Sequence, residues 1–158
     1  MLDGWLEYHR ETLAWKCEGL TPDQLRERSV APSSMSLLGL VRHMAEVERS
    51  WWRRTVEGVE APPFFYERET NPDGDFDDVD TADVDEAFAR WREECEHGRA
   101  VAAARSLDDL SAAAPWSRHG DDRPVSLRWV LVHLVEEYAR HNGHADLIRE
   151  RIDGVTGD

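Results

Sequence analysis

Positive charge is scarce in this chain: 19 Lys and Arg stand against 33 Asp and Glu, a formal net charge of −14. Such a surface repels phosphate backbones and anionic lipid at long range, so neither nucleic acid nor a membrane is an expected partner. Cysteine is almost absent. Cys17 and Cys95 lie far apart, each inside a helical pattern, which excludes a disulfide framework and a zinc-knuckle spacing and leaves two packed or half-exposed thiols. No apolar run is long enough to span a bilayer, and no basic stretch followed by an apolar one opens the chain. The expectation is a soluble, cytoplasmic protein with a single domain over residues 1–158, long enough to bury a real core.

Amphipathic helical patterning fills the space these absences leave. The strongest stretch runs from Leu127 to Arg151, with Ser126 before it as a ready N-cap. At about 100° per residue, Val130, Leu134, Ala145 and Ile148 share one side. His133, Glu137, His141 and His144 fall on that same side, which hydrophobic burial alone would not select. Residues four apart on a helix stand roughly 6 Å from one another, so Glu137 and His141 can converge on one cation. His133 and His141 are about 12 Å apart along the axis and cannot both ligate it. A run of core histidines and a glutamate, hydrogen-bonded to each other or to neighbouring helices, is the competing explanation.

A second helix, from about Leu37 to Glu57 behind caps offered by Ser33, Ser34 and Ser36, holds a complementary piece. His43 shares a face with Gly39, Leu40, Val47, Ser50 and Trp51 and is expected to point inward. Glycine inside a helix costs about 1 kcal/mol relative to alanine, so Gly39 implies close packing or room for a ligand. A lone inward histidine is more often a packed core residue. Combined with Glu137 and His141, it makes three N/O ligands from two helices, which leaves positions open to water or substrate. The interval from Ser36-Leu37 to His43 repeats from Ser126-Leu127 to His133, which keeps His133 with Glu137 as a rival pair.

The remaining stretches frame these two. Leu2 to Gly19 reads as a first helix, with His9 on its surface or packed, and Thr21-Pro22 begins a short helical turn through Arg28. Between Val59 and Thr81, Ala61-Pro62-Pro63, Asn71-Pro72 and Asp73-Gly74 break the pattern, and Asp73, Asp75, Asp77, Asp78 and Asp80 crowd together. Gly74 is misplaced for an EF-hand, so a solvated loop is expected there. Phe64, Phe65 and Tyr66 must cover something, either a pocket mouth or the end of the bundle. Asp83 to Arg105 reads as a third long helix carrying a surface His97, and Leu107 to Leu110 as another short helical turn. The loop from Ala114-Pro115 to Pro124 contains Trp116, Arg118 and His119, and reads as solvated; folded over the site, its Arg118 and Arg123 would meet an anionic substrate.

The expected fold is all-α, a four-helix bundle with short extra helical turns. The segments SLLGLVRHMAEVERSWW and SLRWVLVHLVEEYARHNGHADLIRERIDG resemble the two signature helices of the DinB/YfiT-like superfamily, in particular its actinobacterial branch. The resemblance runs from WLEYHRETLAWKCEGL through IDGVTG. It implies an up-down-down-up bundle, often a homodimer, with a divalent metal near one end. Similar members include mycothiol-dependent maleylpyruvate isomerase and the mycothiol and bacillithiol S-transferases. Many members hold the metal with three histidines. Here His43, Glu137 and His141 match the isomerase-like His/Glu/His variant, which favours Glu137/His141 over His133/Glu137. His144 stands where many relatives carry glutamine. The isomerase's additional C-terminal domain has no counterpart in this sequence, which weakens transfer of the isomerase activity itself.

The function expected on this basis is a metal-dependent S-transferase acting on small electrophiles, with zinc as the first choice and nickel, iron or manganese as alternatives. A low-molecular-weight thiol would be the cosubstrate, and His133 or His144 would relay a proton or serve as an alternative ligand. A non-catalytic metal or small-ligand binding protein of a stress response is the second expectation, and a metal-free helical interaction protein the third.

Overall fold

The computed structural model describes residues 1–115 and 123–157. Among them the chain is mostly helical with no strands. Its helices are α1 (Leu2–Cys17), α2 (Pro22–Arg26), α3 (Leu37–Arg49), α4 (Gly74–Asp77), α5 (Val84–Ala103) and α6 (Leu127–Asp153). A π-helical segment, Ser50–Val56, continues α3. The second helix expected from the sequence is thus one rod wound in two ways.

The caps are those that the sequence offers. Ser36 accepts the amide of Gly39 at 3.1 Å and Ser126 that of Trp129 at 3.3 Å. Thr21 and Gln24 form a capping box around Pro22. Asp83 caps α5, and Gly154, at φ 79°, ends α6 in the left-handed conformation that glycine adopts without strain.

The segment Leu107–Leu110, expected as a helical turn, is instead a hydrogen-bonded turn with an isolated bridge from Leu110 to Ser126. It serves the start of α6, because the carbonyls of Asp109 and Leu107 accept the Leu127 and Arg128 amides, both at 2.9 Å. Those amides belong to the first turn of α6 and have no partner within the helix.

α1 packs along α6, and α3 packs along α5 while also touching α6, α1, α2 and α4. This central place explains why α3 buries residues nearly all round, from Leu37 through Met44 to Glu48. The core joins Leu6 and Leu13, Leu38 and Met44, Trp91 and Cys95, and Leu131, Leu134 and Ile148. Among the described residues no helix is long and apolar enough to cross a membrane.

Candidate metal centre

His43, Glu137 and His141 come together between α3 and α6, with one ligand-type atom of each within 4.8 Å of the others. The imidazoles of His43 and His141 meet edge to face, their centroids 4.8 Å apart. His141 Nε2 stands 3.6 Å from one Glu137 oxygen, and His133 Nε2 and an Arg140 nitrogen each stand 3.5 Å from the other. The approach of His141 does most to hold the Glu137 carboxyl below its ordinary pKa. Partial burial opposes it, and the charges of His133 and Arg140 add to it. Glu137 is therefore a carboxylate at neutral pH.

Both imidazoles are tethered through Nδ1. That atom of His43 is 2.8 Å from Asp75 Oδ2, and that of His141 is 3.4 Å from His144 Nδ1. The Nε2 atoms are the ones left for a ligand. Two imidazole nitrogens and a carboxylate, converging from two helices with their outer nitrogens engaged, are a donor set that suits a divalent transition metal. The side chains keep 26%, 17% and 11% of their surface for His43, Glu137 and His141, so a small molecule can reach the group.

The His43 face of α3 matches the expectation in part. Gly39 and Leu40 on it are buried, whereas His43, Val47, Ser50 and Trp51 are half-buried, and His43 turns toward Glu137 and His141 of α6. Gly39 on this face admits Phe76: a methyl group there would come within 3.0 Å of the Phe76 ring, which itself lies 4.9 Å from that of His43. Close packing, not an open pocket, accounts for this glycine.

His133 lies outside the group of three. It is stacked on Trp129 with centroids 5.2 Å apart and rings within 9° of parallel, and Trp51 approaches it at 4.5 Å. Burial lowers its pKa, against the raising effect of Glu137 and Glu136. His144 is half-buried, its pKa lowered by burial and by the charges of His141 and Arg140. His97 and His9 lie elsewhere: His97 pairs with Glu57 at 2.7 Å, and the backbone carbonyl of His9 accepts a hydrogen bond from Asn142. Both cysteines are buried. Burial pushes the Cys17 thiol up to about 12 and that of Cys95 higher still, so neither is a nucleophile at neutral pH.

The residue the sequence reading missed is Asp75. The acidic stretch expected to be a solvated loop contains α4, and Asp75 within it is only 5% exposed. Phe64 and Phe65 are packed under Arg49 and Arg42, which makes them anchors of this stretch. Trp116, Arg118 and His119, expected in the loop before α6, lie outside the described residues.

A sequence model described as Mycothiol-S-transferase matches residues 1–154. The chain belongs to the mycothiol S-transferase family. This family is DinB-like, in keeping with the superfamily resemblance of the two signature helices. No curated protein and no solved structure matches the chain. Among the described residues, the three converging side chains are a group that could hold a metal, and the buried cysteines are not a source of reactive sulfur.

Proposed function

We propose that this chain is a divalent-metal-dependent S-transferase, joining the sulfur of a low-molecular-weight thiol of the mycothiol type to a small electrophile. The observation that carries the reading is the convergence of His43, Glu137 and His141 within 4.8 Å in a chain of this family. These three residues would hold the metal, and their donor types suit zinc, with nickel, iron and manganese also accepted by imidazole and carboxylate. When bound, the cation supplies charge that favours thiolate over thiol at neutral pH.

The chain's own side chains supply the rest. His133, held neutral at pH 7 by its burial and 3.5 Å from Glu137, receives the proton of the thiol S–H bond. The sulfur electron pair forms the new S–C bond, and the pair of the broken bond leaves with the departing group of the electrophile. Trp51 and Trp129, flanking His133, give a half-open aromatic wall for the carbon skeleton of the electrophile. A DinB-like up-down-down-up bundle, a homodimer and a cytoplasmic location belong to the same reading.

Storage of a metal without turnover would be better served by a closed protein shell. Three donors and part-exposed side chains favour an open coordination position. The test is elemental analysis of the purified protein, followed by mass spectrometry of thiol adducts formed from mycothiol and a panel of electrophiles. The expected result is about one metal per chain, lost together with adduct formation in His43→Ala, Glu137→Ala and His141→Ala. Firmly bound metal with no adduct from any electrophile would leave a binding protein and overturn the transferase reading.

A further inference from the structure

We infer that Asp75 is a positioning residue: its carboxylate keeps the proton of His43 on Nδ1, so that Nε2 turns a bare lone pair into the space it shares with Glu137 and His141. The inference rests on the reading of His43 as a ligand. An ionised carboxylate only accepts, so the 2.8 Å contact from Asp75 Oδ2 places the shared proton on the imidazole. The other Asp75 oxygen accepts the Phe76 amide at 3.1 Å, and Phe76 packs its ring against that of His43. The carboxylate and the imidazole are therefore both fixed in angle.

The connection from the π-helical segment to α5 is built to deliver this one group. Arg42, one residue before His43, donates to the carbonyls of Gly74 and Asp78, both at 2.9 Å, and so grips α4 at each end. Glu46, one turn later, accepts the amides of Phe64 and Phe65 at 2.5 and 2.8 Å. Gly74 is held so closely that a methyl group there would lie 2.7 Å from the Phe65 carbonyl oxygen. Burying Asp75 is unfavourable unless it is compensated, and its compensation is the His43 Nδ1–H, the Phe76 amide and the charge of nearby Arg42. A carboxylate behind the outer nitrogen of a ligating imidazole fixes its tautomer and raises its basicity. His141 has its outer nitrogen engaged within its own helix by His144, which assigns His144 the corresponding place behind the second imidazole.

The experiment measures Zn2+ affinity by competition with a chromophoric chelator, and the ring tautomer of His43 in the metal-free protein by long-range 1H–15N NMR. Asp75→Ala and Asp75→Asn should each weaken Zn2+ binding about 10- to 100-fold. Asp77→Asn, which removes an exposed charge from the same turn, should stay within about twofold. Wild-type His43 should carry its proton on Nδ1, and both Asp75 variants should lose that preference while melting cooperatively. The asparagine variant separates tautomer control from folding, because it keeps the size of the side chain but its one acceptor oxygen cannot serve both the His43 Nδ1–H and the Phe76 amide. Wild-type affinity in both Asp75 variants, with binding abolished in His43→Ala, would sink the inference and leave the metal centre standing. Unchanged Zn2+ binding in His43→Ala would instead sink the centre, and a proton found on Nε2 of wild-type His43 would overturn the tautomer assignment by itself.

Discussion

Glu48 has no solvent-exposed surface, yet it sits in the core as a charged group. Its oxygens accept two hydrogen bonds from Arg10, at 2.8 and 2.7 Å, one from Trp52 Nε1 at 2.6 Å and one from the Tyr138 hydroxyl at 2.7 Å. α1, both windings of the α3 rod and α6 therefore end on one carboxylate, and α5 joins through Trp91, which donates to the same hydroxyl. Burial alone would lower the pKa of Arg10, but the charge and hydrogen bonds of Glu48 reverse that and raise it, so Arg10 keeps its charge. Removing one partner leaves the other buried and uncompensated. Glu48→Gln should therefore destabilise the protein by about 3–5 kcal/mol, read from chemical denaturation. The double change Arg10→Met with Glu48→Leu should not restore full stability, because the Trp52 and Tyr138 donors would still lack an acceptor. Spacing made Glu137 and His141 visible, since four residues on a helix bring two side chains to one place. Glu48 was invisible for the opposite reason: its partners come from positions 10, 52, 95 and 138, and only Trp52 lies within a helical repeat of it.

At the scale of elements, the long helices and their caps were legible because periodicity and capping are local properties. The winding change at Ser50 and the order of the segment after Val59 were not. Prolines, glycines and five aspartates predict a break, and a break is what the backbone makes. Its packing, however, depends on three arginines and a glutamate spread along the α3 rod, none of which marks itself in sequence as an anchor. The His43 face of α3 was legible only in part for a related reason: a central helix touched on most sides has no single inward face, so Gly39 and Leu40 are buried on it while His43 itself stays half-buried. Arg42 is the anchor nearest the site. Arg42→Ala would free the carbonyls of Gly74 and Asp78 and uncover the Phe65 ring stacked at 4.6 Å. The loss should be about 1–3 kcal/mol for hydrogen bonds to a charged group. Limited proteolysis should show new cleavage between residues 59 and 79 before the long helices are cut.

On the scale of the whole molecule, a cation held by His43 and by Glu137 with His141 would tie α3 to α6, two helices that begin at Leu37 and Leu127 and are also joined by the Tyr138–Glu48 hydrogen bond. The unfolded chain has no such preformed group, so binding free energy becomes folding free energy. At a free metal concentration about 100 times its dissociation constant, the added stability is about 2.7 kcal/mol. A chain of this size shifts its midpoint by roughly 2–4 °C per kcal/mol, which predicts a rise in Tm of roughly 5–11 °C on adding Zn2+ to metal-free protein, and an equal fall on chelation. The net charge of −14 makes a control necessary, because any divalent cation relieves repulsion across so acidic a surface. Mg2+ at the same concentration should reproduce only that diffuse part, since it dehydrates reluctantly and is poorly served by imidazole. Glu137→Ala should abolish the Zn2+ increment and leave the Mg2+ effect unchanged. A Zn2+ increment that survives in Glu137→Ala would mean that the cation stabilises the fold from the surface, not from the junction of the two helices.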